Sequence, residues 1–203
     1  MISAEDLNVS RETFEALRVY ADLLEKWNPK INLVSHASLS ELWTRHIMDS
    51  AQLMSLAPNP CKTWVDLGSG GGFPGLVIAI MALESGSPKE VILIESDARK
   101  CAFLRTVIRE TGAKATVMNQ RIEKTDPLNA EVLTARALAD LADLLGFADR
   151  HLAADGAALF PKGVQWEKEL SDAQSLWNFN YRVDTSLTEV GPVILSVTGV
   201  SRV

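Results

Sequence analysis

The sequence predicts an α/β protein built on a mostly parallel sheet, and three observations carry that expectation. From Thr63 onward, short apolar strands alternate with helical segments, the pattern of successive βαβ units. Between the first strand and the helix after it lies Gly68-Ser69-Gly70-Gly71-Gly72-Phe73-Pro74-Gly75, five glycines in eight residues. The last two strand-like stretches, 181–187 and 193–200, are joined at Gly191-Pro192 with no helical interval, which predicts a closing antiparallel hairpin.

The chain before Thr63 is expected to be helical. Segment 10–28 places Phe14, Leu17, Ala21, Leu24 and Trp27 at spacings of three and four, an amphipathic stripe that Pro29 should end. Ser38 and Glu41 have capping-box spacing, so a second helix should follow, carrying Leu39, Leu42, Trp43, His46, Ile47, Ala51 and Met54. Ala57-Pro58-Asn59-Pro60 then breaks the pattern, because proline lacks a backbone donor and biases its predecessor away from helix. The expected organisation is a helical extension over 1–60, packed on a core over 61–203.

Within that core, strands are expected at 63–67, 91–95, 116–119, 132–135 and 157–160. After Asp97, Ala98, Cys101, Leu104, Val107 and Ile108 form a buried helical face, with Arg99, Lys100, Arg105 and Arg109 outward and Gly112 as the cap. Further helices are expected at 138–152 and 166–177, and Glu84-Ser85-Gly86-Ser87-Pro88 reads as a loop.

The totals narrow the function classes. At 203 residues, 47% hydrophobic and 23% charged, the chain can bury a full core as one domain with an appendage. Its longest apolar run, Leu76 to Leu83, is eight residues, too short to span a bilayer, and Glu5 and Asp6 stand where a signal sequence would be basic. A soluble, cytoplasmic protein is expected. Cys61 and Cys101 have no metal-type spacing, so free thiols and no metal site are expected. With 20 Lys plus Arg against 26 Asp plus Glu, the net charge is −6, and a nucleic-acid partner would need a local basic patch. Arg99, Lys100, Arg105 and Arg109 offer one; Lys30, Arg45 and His46 offer another.

The glycine turn carries the chemistry. Glycine accepts positive φ and lets a ligand approach the backbone, while amides at the start of the next helix can receive negative charge. Gly70, Gly72 and Gly75 satisfy G-x-G-x-x-G, and Glu95 lies twenty residues beyond, at the end of the next strand, where a carboxylate can accept from ribose hydroxyls. That pattern alone leaves a dinucleotide open. Asp66, two residues before Gly68, favours a cationic amine or sulfonium over a pyrophosphate. With Asp66 and the closing hairpin together, the chain resembles the class I S-adenosylmethionine-dependent methyltransferases, whose Rossmann-like seven-stranded sheet ends in such a hairpin.

A narrower resemblance rests on separated motifs in one order. Trp27-Asn28-Pro29-Lys30-Ile31-Asn32-Leu33, Arg45-His46-Ile47-Met48-Asp49-Ser50 and Val65-Asp66-Leu67-Gly68-Ser69-Gly70-Gly71-Gly72-Phe73-Pro74-Gly75 resemble the RsmG (GidB) family, as do Arg121-Ile122-Glu123, Ala135-Arg136-Ala137 and Phe160-Pro161-Lys162-Gly163. The resemblance implies methylation of N7 of one guanine in 16S ribosomal RNA of the small subunit, with S-adenosylmethionine as donor. It implies that Gly68 and neighbours including Gly70 line the methionyl part and that Phe73 flanks the cofactor. Glu95 would hold the ribose, Ile122 and Glu123 would border the adenine, and Arg136 would lie beside the site. Gly71 and Gly72 with Phe73 depart from the proline and leucine of many relatives, which leaves the contact made by Phe73 open.

Guanine N7 carries an unprotonated lone pair, so direct in-line transfer needs alignment and no general base. Neither His46 nor His151 is therefore assigned as a base. Arg136 and Lys162, at strand ends on the carboxyl edge, are expected to position the substrate through guanine O6 or a phosphate. A pre-folded small subunit is the expected partner, and a monomer the expected state. An NAD-dependent oxidoreductase and a non-catalytic cofactor-binding module are the alternatives, the first weakened by the lack of a substantial second domain.

Overall fold

A computed structural model describes residues 2–203. After a short first helix, α1 (Ala4–Leu7), Ser10 caps α2 (Arg11–Ile31) by accepting from the Thr13 amide. Pro29 does not end α2 but lies in its last turn. Proline there removes one hydrogen bond, and the chain closes one more turn before Asn32, at φ 49, caps it through its N–H to the Asn28 carbonyl.

The second expected helix is broken up. Ser35, not Ser38, is the cap of α3 (His36–Leu39), and Ser38 is a buried residue inside it. A π-helical segment (Trp43–Met48), α4 (Asp49–Ala51) and a 3-10 turn (Gln52–Ser55) follow. The capping-box spacing fails because Ser35 already receives the Ser38 amide.

The strands β1 (Thr63–Leu67), β2 (Glu90–Ile94), β3 (Ala115–Met118), β4 (Ala130–Ala135), β5 (Leu152–Lys162), β6 (Trp177–Thr185) and β7 (Val193–Arg202) form one sheet in the order β3-β2-β1-β4-β5-β7-β6. Pairs among β1 to β5 are parallel, and β7 runs antiparallel to both β5 and β6. The expected seven-stranded sheet with a terminal hairpin is what folds. Two elements near its end shift: α8 (Trp166–Gln174) stops before Trp177, which instead opens β6 and is buried.

Pleating sends Trp64 and Val65 to opposite faces, and each face has its own core. On one, α2, α5 (Gly75–Ser85) and α6 (Ala98–Thr111) cover the sheet; on the other lie α7 (Leu141–His151) and α8. Leu17, Tyr20 and Leu24 of α2 are fully buried with Leu76, Ile80 and Phe103, so the amino-terminal helix is part of the first core. Glu84, expected in a loop, lies in the last turn of α5 and accepts from Ser10 N at 2.8 Å and Thr13 Oγ1 at 2.9 Å, pinning the start of α2. Among the described residues no helix is long and apolar enough to cross a membrane.

Candidate functional site

The strand order reverses between β1 and β4, and ligands of open α/β sheets bind at the carboxyl ends on either side of such a switch point. A cleft of about 750 Å³ opens there, within the range of small-molecule sites. Gly68 to Gly71 and Phe73 form one wall, and Arg136 and Lys162 another. Leu33, His46 and the loop between β6 and β7 close it from outside the sheet.

The glycine wall is built by backbone. Gly68, Gly70 and Gly72 have φ of 63°, 54° and 97°, in the region that favours glycine. A Cβ on Gly72 would lie 2.4 Å from Leu76 Cδ1 and 2.8 Å from Tyr20 Oη. Tyr20 is fully buried and donates to the Gly71 carbonyl at 2.6 Å, bolting α2 to the turn. Asn28 Oδ1 accepts from Leu33 N and Val34 N at 2.8 and 2.9 Å, holding the link that lies over Gly71.

Asp66 is placed differently from the expectation of direct cofactor contact. It is fully buried beneath the turn, where Oδ1 accepts from Thr134 Oγ1 at 2.9 Å and Oδ2 from Gly75 N at 3.3 Å. Thr134 Oγ1 in turn accepts from Trp64 Nε1 at 3.0 Å. Burial pushes the Asp66 carboxyl up to about 6, against those hydrogen bonds, which favour ionisation. The amide at the start of α5 thus receives its negative charge from the chain's own aspartate. Asp66 therefore acts on the turn from below and does not itself line the cleft.

Glu95 is nearly buried at the end of β2, with Oε2 accepting from Gly70 N at 2.9 Å and Oε1 from Asp97 N at 2.8 Å. Each oxygen retains acceptor capacity. Asn119 Nδ2 donates to the Glu95 and Ser96 carbonyls at 3.1 and 3.0 Å, drawing the turn after β3 to the same edge. That turn carries Ile122 and Glu123, yet neither lines the cleft: Ile122 packs into the second core, and Glu123 faces a separate groove beside Phe147 and Trp177.

The opposite wall is held by side chains. Arg136 Nη1 donates to the Arg45 carbonyl at 3.0 Å and to Asp49 Oδ2 at 3.2 Å, and Nη2 donates to His46 Nδ1. Its guanidinium lies 5.2 Å over the Phe73 ring, on which His46 also stacks at 4.9 Å. Arginine has five N–H donors and does not lose its proton, so three are committed to the protein and the remainder can face a ligand. Burial first, then the charges of Arg136 and Arg45, push His46 down to about 4, and its proton sits on Nε2 because Nδ1 accepts. Lys162 is also engaged, pairing with Glu169 and donating to the Ala139 carbonyl at 3.2 Å. Of the basic residues on α6, Arg99 pairs with Asp97, Arg105 donates to the Val117 carbonyl and Arg109 pairs with Glu110, while Lys100 lines the cleft.

Sequence reasoning missed Asp49, Thr134, Tyr20 and Asn28 as supports of the site, and placed His46 in a family motif and a candidate RNA patch without its contact to Arg136. The arginine-histidine-aspartate spacing of Arg45-His46-Ile47-Met48-Asp49 is the signal that was present. Its geometry depended on the π-helical winding, which no periodicity announces.

Compared with known proteins, residues 13–196 match the family model described as GidB, rRNA small subunit methyltransferase G. The chain is 59% identical over 200 residues to the ribosomal RNA small subunit methyltransferase G of Ruegeria pomeroyi, with 98% of each chain covered. Its fold is similar to that of a ribosomal protein L11 methylase from Lactobacillus delbrueckii, with TM-score 0.58, 19% identity and 78% of each chain covered. It is equally similar to a SAM-dependent methyltransferase from Aquifex aeolicus, with TM-score 0.58, 14% identity, 78% of this chain and 93% of that one.

Proposed function

The chain belongs to the GidB family of rRNA small subunit methyltransferases, and on that premise we propose that it methylates N7 of one guanine in 16S ribosomal RNA by direct in-line transfer. The observation that carries this reading is the cleft at the switch point, where a glycine wall faces an arginine whose neighbouring histidine is held neutral.

The cleft suits S-adenosylmethionine: Gly68 and Gly70 line it, Gly70 is open to close approach where Leu138 covers Gly68, and the Glu95 carboxylate bonded to the Gly70 amide retains acceptor capacity. When bound, the donor supplies a sulfonium methyl, which the guanine N7 lone pair takes as the carbon–sulfur bond breaks and the positive charge passes to the base, no proton being released. Gly68 and Gly70 would lie along the methionyl portion, Phe73 would flank it, and Glu95 would accept from the ribose. The adenine end would extend past Glu95 toward the turn that Asn119 pins there, although its Ile122 and Glu123, which the family resemblance assigns to the adenine, lie outside the cleft itself. Asp66 acts indirectly, by fixing the turn from beneath.

Arg136 would orient the guanine with its uncommitted donors, and Lys162, with a third ammonium hydrogen free, would donate to O6 or a phosphate. Orientation of this kind is the main thing the protein must supply, since N7 needs no deprotonation. A histidine depressed to about 4 is a poor proton acceptor at neutral pH, in keeping with a reaction that asks for none. We take the working unit to be a cytoplasmic monomer, with the first sixty or so residues serving as an extension of the cofactor-binding core.

The test is to incubate the protein with methyl-labelled S-adenosylmethionine and small subunits lacking the modification, then map the label. Label at N7 of one 16S guanine is expected. Label at another atom, or binding of NAD in place of S-adenosylmethionine, overturns the reading, and cofactor binding without transfer points to a non-catalytic module.

A further inference from the structure

We propose that Asp49 is a positioning residue for methyl transfer, whose carboxylate fixes Arg136 with one oxygen and the loop between β6 and β7 with the other. The inference rests on the reading of Arg136 as substrate-facing. Asp49 Oδ2 pairs with Arg136 Nη1 at 3.2 Å, and both side chains are largely buried, 18% and 17% exposed. Oδ1 accepts from Thr188 Oγ1 at 3.1 Å and from Gln52 Nε2 at 2.8 Å. The Gln52 side chain also accepts from Leu187 N at 2.9 Å, so the loop is gripped through backbone as well as side chain.

The circuit closes through a second route. Glu189 of the same loop pairs with Arg45, whose carbonyl accepts from Arg136. Residues 45, 49, 136 and 188–189 come from three separate parts of the chain and meet only here. The loop they hold lines the cleft through Ser186, Thr188 and Glu189, while its Leu187 and Val190 are 80% and 100% exposed. A largely buried carboxylate that satisfies donors on Arg136 and on the loop at once couples their positions, and misplacing an orienting group by about 1 Å can cost on the order of a hundredfold in rate.

The substitutions that test this separate the two oxygens. Asp49→Ala should lower kcat for small-subunit methylation by about tenfold or more, while the Kd for S-adenosylmethionine in calorimetry stays within about twofold. Asp49→Asn keeps an oxygen that can accept from Arg136 and should fall between the two, which also serves if the alanine variant does not fold. Thr188→Val removes the hydroxyl contact to Asp49 Oδ1 together with a hydrogen bond to Ser186 Oγ, leaves the Arg136 pair in place, and should lower kcat/KM for the subunit by about threefold, less than Asp49→Ala. Combined with Arg136→Gln, Asp49→Ala should slow the reaction no further than Arg136→Gln alone, because both act through one group. Wild-type kcat in both Asp49 variants, or losses that multiply in the double variant, overturns the proposal. Mapping the methyl in the wild type keeps the two claims apart: a methyl away from guanine N7 defeats the functional reading, whereas the ratio of variant to wild-type rates at the methylated position decides the role of Asp49.

Discussion

The two walls of the cleft are made in opposite ways. The glycine wall comes from one continuous stretch, Asp66 to Gly75, and takes its shape from backbone angles and the absence of side chains. The arginine wall comes from three remote segments and is held by charged and polar side chains, Arg136 with Asp49 and His46, and Asp49 with Thr188. A backbone-built wall fails when atoms are added. A side-chain-built wall fails when a partner is removed, so the two respond to different perturbations.

The sharpest way to break the comparison is Gly72→Val. Positive φ and the approach of Leu76 and Tyr20 both oppose a side chain there, and together they should cost about 4 kcal/mol. Urea denaturation measures this; a loss under 1 kcal/mol, by the same principles, would show the turn to be pliable.

Asp66→Asn comes next and acts through pH. The native pKa of about 6 lies above the ordinary 3.8, so between those values the native state holds a proton that the unfolded chain has released. The contribution of this group is therefore fully present below about pH 4 and is lost as pH rises through about 6. Asp66→Asn should remove that slope, worth up to about 3 kcal/mol. Parallel stability curves for variant and wild type from pH 4 to 7 would contradict the shift.

On the arginine wall, Arg136→Gln should cost roughly a hundredfold in methyl transfer, about 2.7 kcal/mol of transition-state stabilisation, with S-adenosylmethionine affinity and fold retained. Equal loss of cofactor binding would mean that the walls are not separable. A smaller effect is expected one residue on: Ala137 sits at φ 52, and Ala137→Gly should raise stability by about 1 kcal/mol in thermal or chemical unfolding. An unchanged or lower value would place the strain elsewhere. The smallest expected effect is none: with His46 held near 4, wild type and His46→Gln should share the same shape of rate against pH between about 6 and 8. A wild-type inflection near 6.5 that His46→Gln abolishes would restore the histidine as a titrating participant.

The contrast also explains which parts of the site could be read from the chain. The alternation of strand and helix, the terminal hairpin, the glycine turn and Glu95 were legible because each signal lies within one local window. Arg136 and Lys162 could be placed at the carboxyl edge by topology alone. Pro29 inside α2, the π-helical winding at Trp43–Met48 and Trp177 as the start of β6 were not legible, because packing on the core and strand pairing decided them over local preference.

By itself the sequence determined the mostly parallel sheet, its terminal hairpin and the backbone cradle, since hydrophobic period and glycine content act on neighbouring residues. Tertiary structure alone decided that Asp66 works from beneath the turn, that Arg136 is clamped by Asp49 and His46, and that the β6–β7 loop joins that clamp. Those assignments depend on buried charges finding partners tens of residues away. Burial makes such partners obligatory, but sequence spacing does not say which of the available ones will be within reach.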